Sequence, residues 1–403
     1  MDIPQDRITR FLSRKTGRTL SFVLPLLVLL IFFIQMFGKA YGSNGYDFSS
    51  YLLSSRTFFE GKNPYTTGSI FPFIYPLFVC VLLSPLAYLP YWLSNVTWFI
   101  INVAALYLVT YEFLKLYSES FTRQEIIALL LIPFVVLIDV IQNNLLNGQI
   151  NIVVLLLCVL FFKYHLKSRT LLASILLSVA ISIKLTPLIF LVYLIVRKEF
   201  RHVATTIVMS AVLVVGLPYL VAGQNTFVWY SQYVHSFLVQ NIVVTSQATD
   251  RLTFSFTSLL SFLFPSMSTF AALAVAGCLS VGPIIWAQAS LPKDDTRKQM
   301  FVFSLYLLAM VLISPMSETH HLINLLPAIV LVTLAGFYHT KRDFRISVGT
   351  LAIVFVSLMT RKVHIATAVI GILTLYGSVI WLLFHMNERS TALFERRTES
   401  SLQ

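Results

Sequence analysis

Seven short clusters of Lys and Arg, separated by long apolar runs, constrain this chain more than any other feature of its sequence. They are Arg7 to Arg18, Lys115 with Arg123, Lys163 to Arg169, Arg197 to Arg201, Lys293 to Lys298, Lys341 to Arg345 and Arg389 to Arg397. Crossing the hydrocarbon of a bilayer takes about 20 apolar residues in a helix, because a helix alone bonds its own backbone where water is absent. Of the 403 residues, 57% are hydrophobic and 11% charged, whereas soluble domains carry about 25% charge. A soluble enzyme is thereby excluded. A net charge of +12 would suggest nucleic acid in a soluble chain, but basic residues that flank apolar runs mark the cytoplasmic side of a membrane. No nucleic-acid partner is expected.

If every cluster faces the cytoplasm, consecutive clusters are two crossings apart, which gives about twelve spans. The apolar runs near residues 20–38, 92–114, 125–142, 149–163, 169–185, 186–197, 203–221, 268–290, 299–315, 320–338, 346–361 and 364–386 supply them. The expected fold is an all-α polytopic membrane protein of about 12 transmembrane helices plus outer-face interfacial helices. It forms a single membrane-embedded domain over 1–403, in the plasma (inner) membrane, with both termini cytoplasmic and a short tail at 387–403. The first apolar run has no small-residue cleavage site before Lys39, so no cleavable signal is expected. Cys80, Cys158 and Cys278 are scattered through apolar runs, with neither disulfide nor metal-ligand spacing. They read as core residues.

Two apolar stretches remain outside this count. A crossing at 70–89 would invert every later cluster, and Pro72, Pro76 and Pro85 each remove a backbone donor there. The stretch therefore reads as re-entrant or interfacial. Residues 252–264 are too short to span and read as a helix on the outer surface.

Polar residues gather at the outer ends of the spans. The first outer loop, residues 39–69, contains YDFSSYLLSSRTFFEGKNPY, with Phe48, Tyr51, Leu52, Phe58 and Phe59 at helical spacing. It reads as an amphipathic helix at the membrane surface, one face set among lipid headgroups. Asp47 lies in its first turn, where it either caps the free N–H groups or meets a lipid-linked substrate. Asn147, Gln149, Asn151, Lys184, Asp250, Arg251, Glu318, His320 and His321 come from distant parts of the chain to the same expected depth. Each has a plainer reading: Lys184 can snorkel to the interface, the histidine pair can cap a helix, and amides can serve helix packing.

The order of Asp47, EGKNPY at 60–65, FIYPLFVCVLLSPLAYLP at 73–90, NGQIN at 147–151, Lys184 to Pro187 and SPMSETHH at 314–321 resembles the integral-membrane glycosyltransferases of the GT-C superfamily. More narrowly it resembles glycosyltransferase family 87, the polyprenyl-phosphate-mannose-dependent mannosyltransferases. The resemblance implies sugar transfer, with mannose the sugar, from a polyprenyl-phosphate donor to a glycolipid or glycan acceptor. It places the reaction on the outer or periplasmic face, with inversion and with Asp47 as base.

The residue types suit that chemistry. A carboxylate accepts the acceptor hydroxyl's proton. The departing phosphate needs fixed cations or donors, and Lys184, Arg251, His320, His321, Gln149 and Asn151 are the candidates. Other GT-C branches have an acidic pair at this place, whereas Asp47 is followed by Phe48 and Ser49, so by that resemblance neither a metal nor any cofactor beyond the lipid-linked donor is expected. Two rival classes differ in readable features. A transporter or flippase of lipid-linked sugars needs mid-membrane charges and commonly shows internal repeats, and a glycan polymerase or ligase would carry paired arginines in a large outer loop. Neither pattern is found here.

Overall fold

An apolar run without alternation, bounded by basic residues, leaves the helix as the backbone's route to self-satisfied hydrogen bonds in lipid. All regular structure among the described residues is accordingly helical. The computed structural model describes residues 15–42, 46–117, 121, 123–240, 253–292, 295–338, 341–361 and 365–385.

In chain order the principal helices are α1 (Lys15–Gly42), α2 (Tyr46–Phe59), α3 (Phe78–Ala87), α4 (Tyr91–Tyr117), α5 (Arg123–Val136), α6 (Ile138–Asn147), α7 (Asn151–Leu166), α8 (Thr170–Ile183) and α9 (Ile189–Val196). There follow α10 (Phe200–Ala222), α11 (Asn225–Tyr233), α12 (Phe256–Leu263), α13 (Thr269–Ser290), α14 (Thr296–Ile313), α15 (Leu326–Tyr338), α16 (Lys341–Thr360) and α17 (Ile365–His385).

The twelve full spans expected from the charge clusters are not confirmed among the described residues. Seven helical segments among the described residues are long and apolar enough to cross a membrane, or eight if the bent pair α5 and α6 counts as one. Charge clusters count chain reversals, and a reversal needs no full-length helix. The expected spans 149–163, 169–185 and 186–197 are helical, but α7, α8 and α9 have 16, 14 and 8 residues. At 1.5 Å per residue, α9 reaches about 12 Å against about 30 Å of hydrocarbon.

The two leftover stretches are short, as their sequences imply. Within 70–89 only α3 is helical, with 10 residues, and α12 has 8. Residues 241–252, which include Asp250 and Arg251, lie outside the described residues, as does the tail at 387–403.

Burial sorts the helices. In α14 78% of the apolar window is buried, against 17% in α10, so α14 is a central post and α10 presents most of its surface outward. Small side chains line the crossing of α8 with α10: Ser178 of α8 donates to the Thr206 carbonyl of α10 at 2.9 Å, and Ala173 and Ala180 of α8 are fully buried. Interfaces of this kind let helix backbones approach where the surroundings are apolar.

Three local breaks shape the outer end. Pro133 interrupts the ladder of α5, and one turn later the chain bends by 70° at Leu137, between α5 and α6. Gly148 ends α6 in the left-handed conformation with φ of +60°, which glycine adopts without steric cost. Pro218 cannot donate to the Val214 carbonyl, so α10 carries a π-turn at Val212–Gly216. The Tyr230 hydroxyl satisfies that carbonyl at 2.6 Å and accepts the Leu77 N–H at 3.1 Å. The proline-rich stretch before α3 is thus anchored to a helix break more than a hundred residues away.

Candidate active site

These breaks frame a cleft of about 730 Å³. One wall is the irregular segment Ile70 to Pro76 and the other is the turn Ser314 to His321, with Asp47, Gln149 and Lys184 between them.

The turn after α6 carries the geometry. Phe48 stacks on Trp98 with ring centroids 5.3 Å apart and planes 4° from parallel. The Trp98 indole donates to the Gly148 carbonyl at 2.8 Å. A methyl group on Gly148 would stand 2.6 Å from the Phe48 Cβ, so the turn passes directly beneath α2 only because residue 148 has no side chain. Gln149 is thereby set opposite the first turn of α2, and its Nε2 donates to Asp47 Oδ2 at 2.6 Å.

From Gln149 a row of polar contacts crosses the cleft floor. Its Oε1 accepts from Tyr51 at 3.2 Å, Asn151 Nδ2 at 3.3 Å and Tyr75 at 3.5 Å. The Asn151 Oδ1 in turn accepts from Lys184 Nζ at 2.7 Å. Asp47 and Lys184 therefore stand at the two ends of one buried amide relay. Burial first, and then the Glu318 carboxylate, push the Asp47 carboxyl up to about 6. The Gln149 bond and the Lys184 charge act against that rise.

The turn before α15 is self-braced. Glu318 accepts the His321 backbone N–H, and His321 Nδ1 accepts the Glu318 N–H at 2.9 Å. A nitrogen that accepts carries no proton, so the His321 ring is a neutral N–H donor through Nε2, which replaces the expectation of a cation at this position. His320 packs edge-on against it at 4.2 Å, with Nδ1 3.8 Å from Glu318 Oε2. Arg361, at the end of α16, donates to Thr319 Oγ1 at 3.2 Å and pairs with Asp139 of α6. Asn144 of α6 donates to the His320 carbonyl at 3.0 Å. These two contacts lock the turn to α6.

Eight of the ten outer polar residues singled out from sequence line this cleft or its floor: Asp47, Asn147, Gln149, Lys184, Glu318, His320 and His321, with Asn151 between Gln149 and Lys184. Asp250 and Arg251 lie outside the described residues. The amphipathic helix is present as α2, but its apolar face is not immersed in headgroups. Phe48, Tyr51, Leu52 and Phe58 are buried in protein, together with Ser50, Ser54 and Ser55, while Phe59 is exposed. Periodicity identifies an apolar face without saying whether lipid or protein covers it.

Sequence reasoning missed Tyr51 and Tyr75 as partners of the relay and Arg361 as a brace. Tyrosine in an apolar run carries no signal of its own. Arg361 did carry one, since it stands apart from all seven basic clusters at the end of a span expected to point outward.

Comparison with known proteins supplies an independent reading. Residues 73–315 match the model of glycosyltransferase family 87. The chain is 25% identical over 328 residues to a polyprenol-phosphate-mannose-dependent alpha-(1-2)-phosphatidylinositol mannoside mannosyltransferase of Mycobacterium tuberculosis, covering 76% of this chain and 74% of that one. It is 28% identical over 260 residues, 64% of this chain and 58% of the relative, to a polyprenol-phosphate-mannose-dependent alpha-(1-2)-phosphatidylinositol pentamannoside mannosyltransferase of the same species. A Mycolicibacterium smegmatis phosphatidylinositol mannoside mannosyltransferase is 25% identical over 317 residues, 72% of this chain and 70% of its own. No solved structure matches.

Proposed function

Because this chain belongs to glycosyltransferase family 87, we propose that it moves a mannosyl residue from a polyprenyl-phosphate donor to a hydroxyl of a glycolipid or glycan acceptor, with inversion. The carrying observation is the cleft in which one carboxylate, Asp47, is hydrogen-bonded through Gln149 and Asn151 to one lysine amine, Lys184. Inverting transfer needs those two functions at the two ends of the reacting bond. A base receives the acceptor proton at one end, and positive charge meets the departing phosphate at the other.

In this reading Asp47 Oδ accepts the proton as the hydroxyl attacks the anomeric carbon. Gln149 holds the carboxylate in place through its amide donor. Lys184, the neutral His321 Nε2–H, His320 and Arg251 stabilise the phosphate oxygens as charge develops there. The Ile70 to Pro76 wall, with Tyr233 and Phe237 on the same cleft, offers the apolar surface a prenyl tail requires. No metal enters the transfer step, because Lys184 supplies charge where other transferases use a cation.

The basic clusters support an outward-facing site in the plasma (inner) membrane. Lys163 closes α7, Arg197 follows α9 and Arg297 opens α14. The opposite ends of the same segments carry Asn151, Thr186 and Ser314 at the site. The relatives' names direct attention first to phosphatidylinositol mannosides as acceptor.

The test is transfer of labelled mannose from polyprenyl phosphate mannose to phosphatidylinositol mannosides by the purified chain. The expected product carries the opposite anomeric configuration and forms at an unchanged rate with a chelator below the melting temperature. Transfer from a nucleotide sugar in its place, retention of configuration, or abolition of activity by the chelator would overturn the proposal.

A further inference from the structure

At the end of the bundle away from the cleft, we propose that His165, Glu199 and His202 form a binding site for a divalent transition metal, zinc being the ion whose chemistry fits. His165 lies in the last turn of α7, Glu199 follows α9, and His202 opens α10. Both imidazoles are buried, with side chains 4% and 2% exposed, while Glu199 is 32% exposed and gives the site an opening.

The donor atoms converge. His165 Nδ1 and His202 Nδ1 face the same carboxylate oxygen, Glu199 Oε2, at 3.3 and 3.5 Å. All three ligand atoms lie within 4.8 Å of one another. As hydrogen bonds these separations are long, since N–H···O contacts fall between about 2.7 and 3.2 Å. As edges of a coordination tetrahedron they fit, because ligands about 2.0 to 2.1 Å from zinc are about 3.3 Å from one another. Two imidazoles and one carboxylate suit zinc, whereas calcium and magnesium take oxygen alone.

The surroundings hold the ligands in that arrangement. Glu199 Oε1 accepts from Arg197 Nε at 2.8 Å, which leaves Oε2 free to bind in monodentate fashion and orients it from the second shell. His165 packs edge-on against Tyr193 at 5.3 Å, and His202 edge-on against Phe161 at 5.9 Å. The chain reversals that bring the three together each use a non-glycine residue at positive φ, Ser168 at 56° and Lys198 at 61°, a conformation uncommon outside glycine. The Glu199 N–H bonds the Leu194 carbonyl at 3.0 Å directly after the second of them.

His165 follows Asn151 by fourteen residues of one helix, about 21 Å, so a metal here takes no part in sugar transfer. It would tie the ends of α7 and α10 together, with water in the fourth position. The Arg197 charge makes the site weaker than a closed structural zinc site. The sequence carries only half of the signal: Glu199 and His202 are three apart, and His165 is brought in by tertiary structure.

The experiment is a cobalt titration of the purified, chelator-stripped full chain, followed by zinc. The expected result is one cobalt per chain with the intense visible absorption of four-coordinate cobalt, displaced by zinc, and a melting temperature raised by zinc. Glu199→Gln and His202→Gln should each bind cobalt at least tenfold more weakly, with mannosyl transfer within about twofold of the parent. The parent spectrum decides the matter if a variant does not elute as folded protein. Sub-stoichiometric binding, the weak absorption of six-coordinate cobalt in the parent, or undiminished binding by both variants overturns the site.

Discussion

Asp47→Asn should move stability and activity in opposite directions. The fold holds the Asp47 carboxyl at about 6, raised from 3.8 by burial and by the nearby Glu318 carboxylate. A group raised by about two units is charged at pH 7 at a cost to the folded state of at most about 3 kcal/mol, at 1.4 kcal/mol per unit. Solvent reaching the carboxylate through the cleft reduces this, so about 1 to 3 kcal/mol is expected. The sign follows from proton linkage: between about pH 4 and 6 the folded state binds more protons than the unfolded chain, so parental stability falls as pH rises through that window. Asparagine keeps an oxygen for the Gln149 amide and has no charge to bury. The variant should therefore melt above the parent at pH 7, and the gap should close at pH 4.

Activity should respond the other way, with a loss of about a hundredfold to ten-thousandfold on removal of a general base. The parental rate should fall about tenfold per pH unit below 6, as the base is protonated. The assays are thermal unfolding in detergent at several pH values and mannosyl transfer under the same conditions. A helix cap predicts neither result, since asparagine caps as well as aspartate. Activity within a few-fold of the parent would refute the base assignment. A parental rate flat from pH 5 to 7 would refute the electrostatic account of Asp47.

The neighbours of Asp47 should shift the same acid limb in known directions. Glu318→Gln removes a group that raises the Asp47 pKa and should move the limb to lower pH. Lys184→Met removes one that lowers it, moving the limb to higher pH, and should also slow transfer about a hundredfold or more by leaving the phosphate unopposed. Gly148→Ala combines an alanine at φ of +60° with a methyl group 2.6 Å from Phe48, a destabilisation of about 1 to 3 kcal/mol measurable as a lower melting temperature. Single cysteines placed at Lys167 and Arg345 in a chain lacking Cys80, Cys158 and Cys278 should resist an impermeant thiol reagent in intact cells, while one at Thr319 should react. Labelling at Lys167 would reverse the orientation.

Much of this protein is legible in one dimension because a bilayer leaves its solute few options. Apolar runs must be helices, and basic clusters mark one end of the bundle, so the all-α class and the side holding Asp47, Lys184 and the histidine pair follow from residue order. The residues of NGQIN could be placed at that end but not given roles. Their function depends on Gly148 passing under Phe48, a contact between residues a hundred positions apart that no periodicity encodes. The number of full crossings was likewise beyond the sequence, since charge registers where the chain turns and not how far each helix runs before it does. Tertiary structure also decided that the apolar face of α2 meets Trp98 and not lipid, that His321 is a neutral donor because its Nδ1 accepts a backbone N–H, and that Arg361 braces the turn before α15. For α2 and Arg361 the deciding quantity is a distance between residues far apart in sequence, set by chain breaks at Leu137, Gly148 and Pro218, and for His321 it is the local turn that aims Nδ1 at the Glu318 N–H; a string of letters carries neither.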